Sequence, residues 1–134
     1  MYTGIVQGLE KVLEVRQGDG FSTIIVSNTN NFFQDVFIGA SVAINGVCLT
    51  ATHIDSDQNT VHFDISNLTN QLTTLKFLEA GTEINIERSA KVGAENGGHN
   101  LYGHIEGTSK VVNLVRTGET LHLDIEIPEG NIKY

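Results

Sequence analysis

The chain has one cysteine, one proline and half as many basic as acidic side chains, 8 against 16. Each shortage removes a class of protein. A lone Cys48 permits no internal disulfide, so nothing ties the fold to an oxidising compartment. A single proline beside 40% apolar residues is the composition of a packed chain, not a disordered one. The formal charge of −8 lacks the basic footprint of a nucleic-acid or anionic-membrane binder. A small neutral or weakly charged ligand is the partner left to expect. Long apolar runs are missing too, since none approaches the ~18–20 residues of a membrane span. Met1-Tyr2-Thr3-Gly4 has neither the basic region nor the apolar stretch of a secretion signal. The expectation is a soluble cytoplasmic protein.

What the chain does contain is a second reading of its own beginning. Gly4-Ile5-Val6-Gln7-Gly8-Leu9-Glu10-Lys11-Val12-Leu13 recurs 99 positions later as Gly103-His104-Ile105-Glu106-Gly107-Thr108-Ser109-Lys110-Val111-Val112. Both glycines, the lysine and the alternating apolar positions match. With one inserted residue the likeness runs on weakly, Ile25-Val26-Ser27 against Ile125-Glu126-Ile127 and Asn31-Phe32 against Asn131-Ile132. A repeat this long is a domain duplication, not a solenoid unit. The expected organisation is a first domain over 1–95 and the start of a second, truncated one over 96–134.

Local pattern indicates a β protein. Fourteen glycines suit tight turns. Residues 3–15 and 21–27 read as strands. Asn30 to Phe37 carries Phe32, Phe33 and Val36 at helical spacing and is expected to form a short amphipathic helix. Asn45-Gly46, between Ser41-Val42-Ala43-Ile44 and Val47-Cys48-Leu49-Thr50-Ala51-Thr52, is a two-residue hairpin signal because both turn residues tolerate positive φ. Asp55 to Asn59 turns the chain again, Val61 to Ile65 follows as a strand, and Glu83 to Arg88 closes the first copy. Six short strands with tight turns imply a small closed antiparallel barrel.

Four segments carry a resemblance. Tyr2 to Gly8, Gly39 to Thr50, Asn85 to Lys91 and Gly97-Gly98-His99-Asn100-Leu101-Tyr102-Gly103-His104 are similar, in order and over nearly the whole chain, to the riboflavin synthase α-chain family. Lumazine protein and the yellow fluorescent proteins of luminous bacteria are relatives of that family. The resemblance implies an all-β fold of six-stranded Greek-key barrels, here one barrel followed by an incomplete second copy. It implies a homotrimer for the full-length family and no metal or cofactor. The implied reaction is the dismutation of two 6,7-dimethyl-8-ribityllumazine molecules to riboflavin and 5-amino-6-(D-ribitylamino)uracil, driven largely by holding two reactants in register.

Carried over residue by residue, the resemblance implies substrate contacts at Gly4, Ile5 and Val6, at Cys48, Leu49 and Thr50, at Asp64, Ile65, Ser66, Asn67, Leu68 and Thr69, and at Gly103, His104 and Ile105. Backbone groups and short hydroxyls along such segments suit a ring rich in carbonyls and nitrogens. The Asp64 carboxylate suits ribityl hydroxyls. Implied catalytic residues are Cys48, His104 and Ser41. Cys48 is either a nucleophile toward C7 or a polarisable wall. His104 has an unperturbed pKa suited to proton transfer near neutrality. Ser41, alternating with Ala43, faces inward if the bulges fall as in the family.

Each has a plainer reading. A lone cysteine usually packs as a small hydrophobe, a strand histidine is usually structural, and Asp64 between Phe63 and Ile65 can be an ordinary solvent-facing residue. His99 and His104 stand five apart with no partner cysteine, which is not a zinc pattern. His53, His62 and His122 are expected to face solvent. Gly103 to Thr108 lacks the glycine-lysine ending of a phosphate loop, and the Asn67-Leu68-Thr69 sequon is read as chance. Three positions depart from the family: Tyr2 replaces phenylalanine and adds a hydroxyl that needs a partner if buried, Leu68-Thr69-Asn70 replaces Glu-Thr-Leu, and Tyr102 replaces serine. Two function classes follow, a synthase and a non-catalytic lumazine or flavin binder of the fluorescent antenna type, with a plain oligomerisation barrel as a third.

Overall fold

The structure, a computed structural model, describes residues 1–128. Six antiparallel strands close into a barrel: β1 (Gly8–Gln17), β2 (Phe21–Ser27), β3 (Ser41–Ile44), β4 (Val47–Asp55), β5 (Thr60–Ser66) and β6 (Glu83–Arg88). Their order around the barrel is β1-β2-β5-β4-β3-β6, with β6 pairing back onto β1. Alternation fills the interior. Val12, Ile24, Val42, Ile44, Ala51, Phe63, Ile84 and Ile86 are fully buried and form one core. Closure leaves this barrel without a bare sheet edge.

The β3–β4 hairpin turns as its sequence predicts, with Asn45 at φ 49° and Gly46 at φ 83°. Asp55 to Asn59 also turns, the Asp55 carboxylate accepting from the Asp57 and Gln58 amides at 3.0 and 2.9 Å. The strand expected over 3–15 begins only at Gly8, because residues before it serve another surface. No helix forms over Asn30 to Phe37. Asn31 takes a left-handed φ of 58°, which ends helical continuity, and the segment is a run of turns closed by Gln34 N to Asn31 O and Val36 N to Phe33 O. Phe33 and Val36 still enter the core, Phe33 tilted against Phe63 at 5.9 Å.

That loop is held by a buried carboxylate. Glu10 is 2% exposed and accepts from Ser27 Oγ, Thr29 N, Thr29 Oγ1 and Asn30 N at 2.7–3.1 Å. Burial pushes its pKa up, and these four donors outweigh burial, so the group stays below the usual carboxylate value. At the opposite end, where β5 meets the β1–β2 turn, the sequence pattern gave no sign of α1 (Asn67–Leu72) or of the 3-10 turn over Thr74–Phe77. Ser66 caps α1 by accepting from Thr69 N, and Leu75 plugs the core.

Beyond the barrel the chain forms β7 (Val111–Thr117) and β8 (Thr120–Ile125), a two-stranded sheet. It repeats β1–β2 in detail. Val12 pairs with Val26 and Val111 with Ile125, and each strand then bulges, between Val12 and Glu14 and between Val111 and Asn113. The offset is 99 throughout, so the inserted residue expected from the sequence is absent and Ile24-Ile25-Val26 correspond to Leu123-Asp124-Ile125. The Asn131-Ile132 correspondence lies outside the described residues. Where Val12, Ile24 and Val26 are wholly buried, their counterparts Val111, Leu123 and Ile125 are about half exposed. Among the described residues no helix is long and apolar enough to cross a membrane.

Candidate functional site

The first residues of the repeat lie on the first barrel. A strap over residues 98–105 crosses its outside, tied by His99 N to Thr3 O at 2.9 Å and by Cys48 N to Gly103 O at 2.8 Å. Between these ties Tyr2 and Leu101, which occupy equivalent positions of the two copies, form an antiparallel bridge. Tyr2 N donates to Leu101 O at 2.7 Å and Leu101 N to Tyr2 O at 3.0 Å. Ile105 then packs against the barrel core.

The strap completes a cavity of about 210 Å³ at the end of the barrel that carries α1. Cys48 and Val47 form one wall, Leu68, Thr69, Leu72 and Thr73 a second, and Gly103-His104-Ile105 the third. Six residues expected from the sequence, Cys48, Leu68, Thr69, Gly103, His104 and Ile105, therefore meet in one place. Gly103 makes the fit possible. Its φ is +71°, and a Cβ there would lie 3.0 Å from Cys48 Cβ, 3.1 Å from Cys48 N and 3.2 Å from Tyr2 Cε2. His104 is exposed at the cavity edge, and Cys48 is half-buried.

Other expected residues are placed elsewhere. Gly4 and Val6 line a second cavity of about 310 Å³, with Tyr2, Glu87 and Leu101, and Gly103 borders both. Ile5 and Val6 are half exposed. Glu87 fixes this arm, its Oε1 accepting from Thr3 N, Thr3 Oγ1 and Gly4 N. Leu49 and Ile65 point into the core. Thr50 and Asp64 are exposed on the barrel surface, where Thr23 donates to Asp64 at 2.6 Å. Ser66 is occupied as the α1 cap, and Asn67 opens that helix. A larger hollow, about 650 Å³, lies away from Cys48 beside Arg88 and Lys91, both paired with Asp35. His53 is exposed as expected, but His62 is half-buried against it, ring centroids 4.8 Å apart, and burial followed by its neighbour's charge lowers its pKa.

The inward orientation expected for Ser41 and Ala43 is not found. Val42 and Ile44 take the core, which turns Ser41 and Ala43 to the outer face, where Ser41 pairs across with Thr50 and Ala43 with Cys48. Tyr2 covers this face. It is 2% exposed, and its hydroxyl donates to Cys48 Sγ at 3.0 Å. Burial first and the Cys48 contact second push the phenol far above its usual pKa, so it remains a donor. The sequence reading missed Val47, Leu72 and Thr73 as cavity walls. Leu72 and Thr73 carry no motif signal, and Val47 lies inside the Gly39 to Thr50 segment, next to Cys48.

Comparison with known proteins gives a consistent relationship. The sequence profile of the lumazine binding domain matches residues 3–89. Riboflavin synthase of Escherichia coli (strain K12) is 35% identical over 98% of this chain, and the chain spans 61% of that relative's length. Among solved structures, LumP complexed with 6,7-dimethyl-8-(1'-D-ribityl) lumazine superposes with a TM-score of 0.79 at 29% identity, covering 99% of this chain and 70% of the other. LumP complexed with riboflavin gives 0.82 at 29%, covering 99% and 71%.

Proposed function

The chain belongs to the lumazine-binding domain family, and from that premise we propose that its barrel binds one ribityllumazine or riboflavin in the cavity between Cys48, Thr69 and the strap. The convergence of Cys48 with Gly103-His104-Ile105, brought together from positions far apart in sequence, is the observation that carries this reading. At about 210 Å³ the hollow is below the ~300–1,000 Å³ of a pocket that swallows its ligand. It suits a flat ring held on edge, with a polar chain running out past Thr69.

The activity we infer for the protein built on this barrel is riboflavin synthase. Two 6,7-dimethyl-8-ribityllumazine molecules exchange a four-carbon unit, giving riboflavin and 5-amino-6-(D-ribitylamino)uracil with no outside oxidant or reductant. Cys48 stands where a nucleophile or polarisable group would face the ring, and His104 stands where an imidazole can move a proton. Ser41 is on the outer face and acts, in this reading, through Tyr2. Two ligand sites are needed, and the repeat beginning at residue 96 supplies the start of a second barrel. Gly4 and Val6 line the other cavity. A homotrimer in the cytoplasm, with no metal or cofactor, is the state that goes with this function.

A second reading has its own support. Structural matches include LumP in complex with lumazine and with riboflavin, and Leu68 places an apolar side chain at the cavity where the resemblance implies a carboxylate. A binder that retains ligand without turning it over would show this pattern. Fluorescence titration tests the binding shared by both. Riboflavin should be quenched or polarised saturably at about one per chain, and absence of saturation with folded protein would remove both readings. Turnover of ribityllumazine by the protein carrying a complete second barrel separates the synthase from the binder.

A further inference from the structure

We infer that Tyr2 is a positioning residue for Cys48, its hydroxyl holding the sulfur from one side so that the thiol acts toward the strap cavity on the other. Tyr2 lines one cavity and Cys48 the other, with Gly103 bordering both. The phenol thus reaches the sulfur through the wall between them. Its aim is fixed. The Tyr2 backbone is held by two hydrogen bonds to Leu101, its side chain is almost fully buried, and its hydroxyl has Cys48 Sγ as an acceptor at 3.0 Å. Ser41 comes close to the same phenolic oxygen from β3.

A buried phenol with a raised pKa is a constant donor and not a base. Donation to sulfur favours the thiolate over the thiol, and the thiolate is the form that attacks an electrophile. Phenylalanine, the residue the family resemblance implies at this position, can supply the ring but not this bond. The functional importance of the contact rests on the ligand-site reading above, while the contact itself is testable without any ligand.

Cys48 is the chain's single thiol, so its chemistry can be read without background. The test compares wild type, Tyr2→Phe and Tyr2→Leu for the rate of alkylation by iodoacetamide at fixed pH and for the S–H stretching band in the infrared. Tyr2→Phe should slow alkylation about threefold, the roughly tenfold loss of thiolate from a lost hydrogen bond of ~1.4 kcal/mol being partly offset by the greater nucleophilicity of the more basic thiolate, and should shift the S–H band. Riboflavin affinity on the same samples should fall less than the alkylation rate. A folded Tyr2→Phe protein that alkylates at the wild-type rate or faster overturns the proposal. So does a loss seen only in Tyr2→Leu, which would assign the effect to ring packing. Failure of wild type to bind riboflavin would remove the site reading and leave the thiol comparison intact.

Discussion

Replacing Gly103 by alanine probes the strap at its tightest point. Two costs are direct. An L-residue at φ +71° carries ~1–2 kcal/mol of left-handed strain, and the new methyl would press on Cys48 N at 3.1 Å, a backbone atom that cannot swing aside. Relief requires the strap to lift, which breaks the bond from Cys48 N to Gly103 O, worth about 1 kcal/mol. The sum is about 2–3 kcal/mol against docking. If the docked strap is the binding-competent form, affinity for riboflavin falls about 30- to 150-fold. Gly93→Ala is the control, because Gly93 has φ +84° and an added methyl there would meet no neighbour within 4 Å. It shares the strain without the collision and should bind as wild type. Fluorescence titration reads affinity, and hydrogen exchange at the Cys48 amide reads docking. Wild-type affinity together with unchanged exchange at Cys48 in Gly103→Ala would refute the assignment of the strap as a cavity wall.

Further outcomes follow from other parts of the molecule. Glu10→Gln keeps the shape but turns an amide toward four donors, and should cost about 2–4 kcal/mol in denaturant unfolding. Because the folded Glu10 pKa is lowered, its contribution is present above the unfolded value near ~4.3 and is lost as pH falls through the folded value. The variant's stability should therefore depend less steeply on pH below that point. His62, also lowered, works in the same sense at higher pH. Stability is full above about 6.5 and declines as pH drops toward the folded pKa, a decline that His62→Gln should remove. Amides of β7–β8 should exchange much faster than those of β3–β4, since a two-stranded sheet with exposed side chains is marginal. Equal protection would show that the hairpin is an integral part of the barrel's fold.

Legibility in the sequence followed the range of the cause. The β3–β4 hairpin and β6 were readable because Asn45-Gly46 and the alternation of Glu83 to Arg88 act within a few residues. Phe32, Phe33 and Val36 misled because their spacing is helical while the backbone at Asn31 is not. The Phe32 ring instead fills the space beside Gly8, where a methyl would lie 1.9 Å from Cζ. Helix α1 gave no pattern because none of its residues is buried. At the site, Cys48 and His104 were identified through motifs, yet motifs do not say which residues share a cavity. The separation of Gly4 and Val6 from Cys48, and the outward turn of Ser41, depend on which residues β3 commits to the core and where the strap lands. Those are long-range outcomes.

The bridge between Tyr2 and Leu101 joins equivalent positions of two copies in an antiparallel sense, and a pair of that kind has a local twofold axis running through it. The leading arms of the two copies are therefore related by rotation, and both lie on the first barrel. Chain length becomes constrained unevenly as a result. Extra residues in the loop over 89–96 can be absorbed before the axis is reached. A single insertion between Leu101 and Gly103 cannot, because Leu101 is held by Tyr2 and Gly103 by Cys48, and a one-residue slip there would present the neighbouring side chain to a gap that admits only glycine.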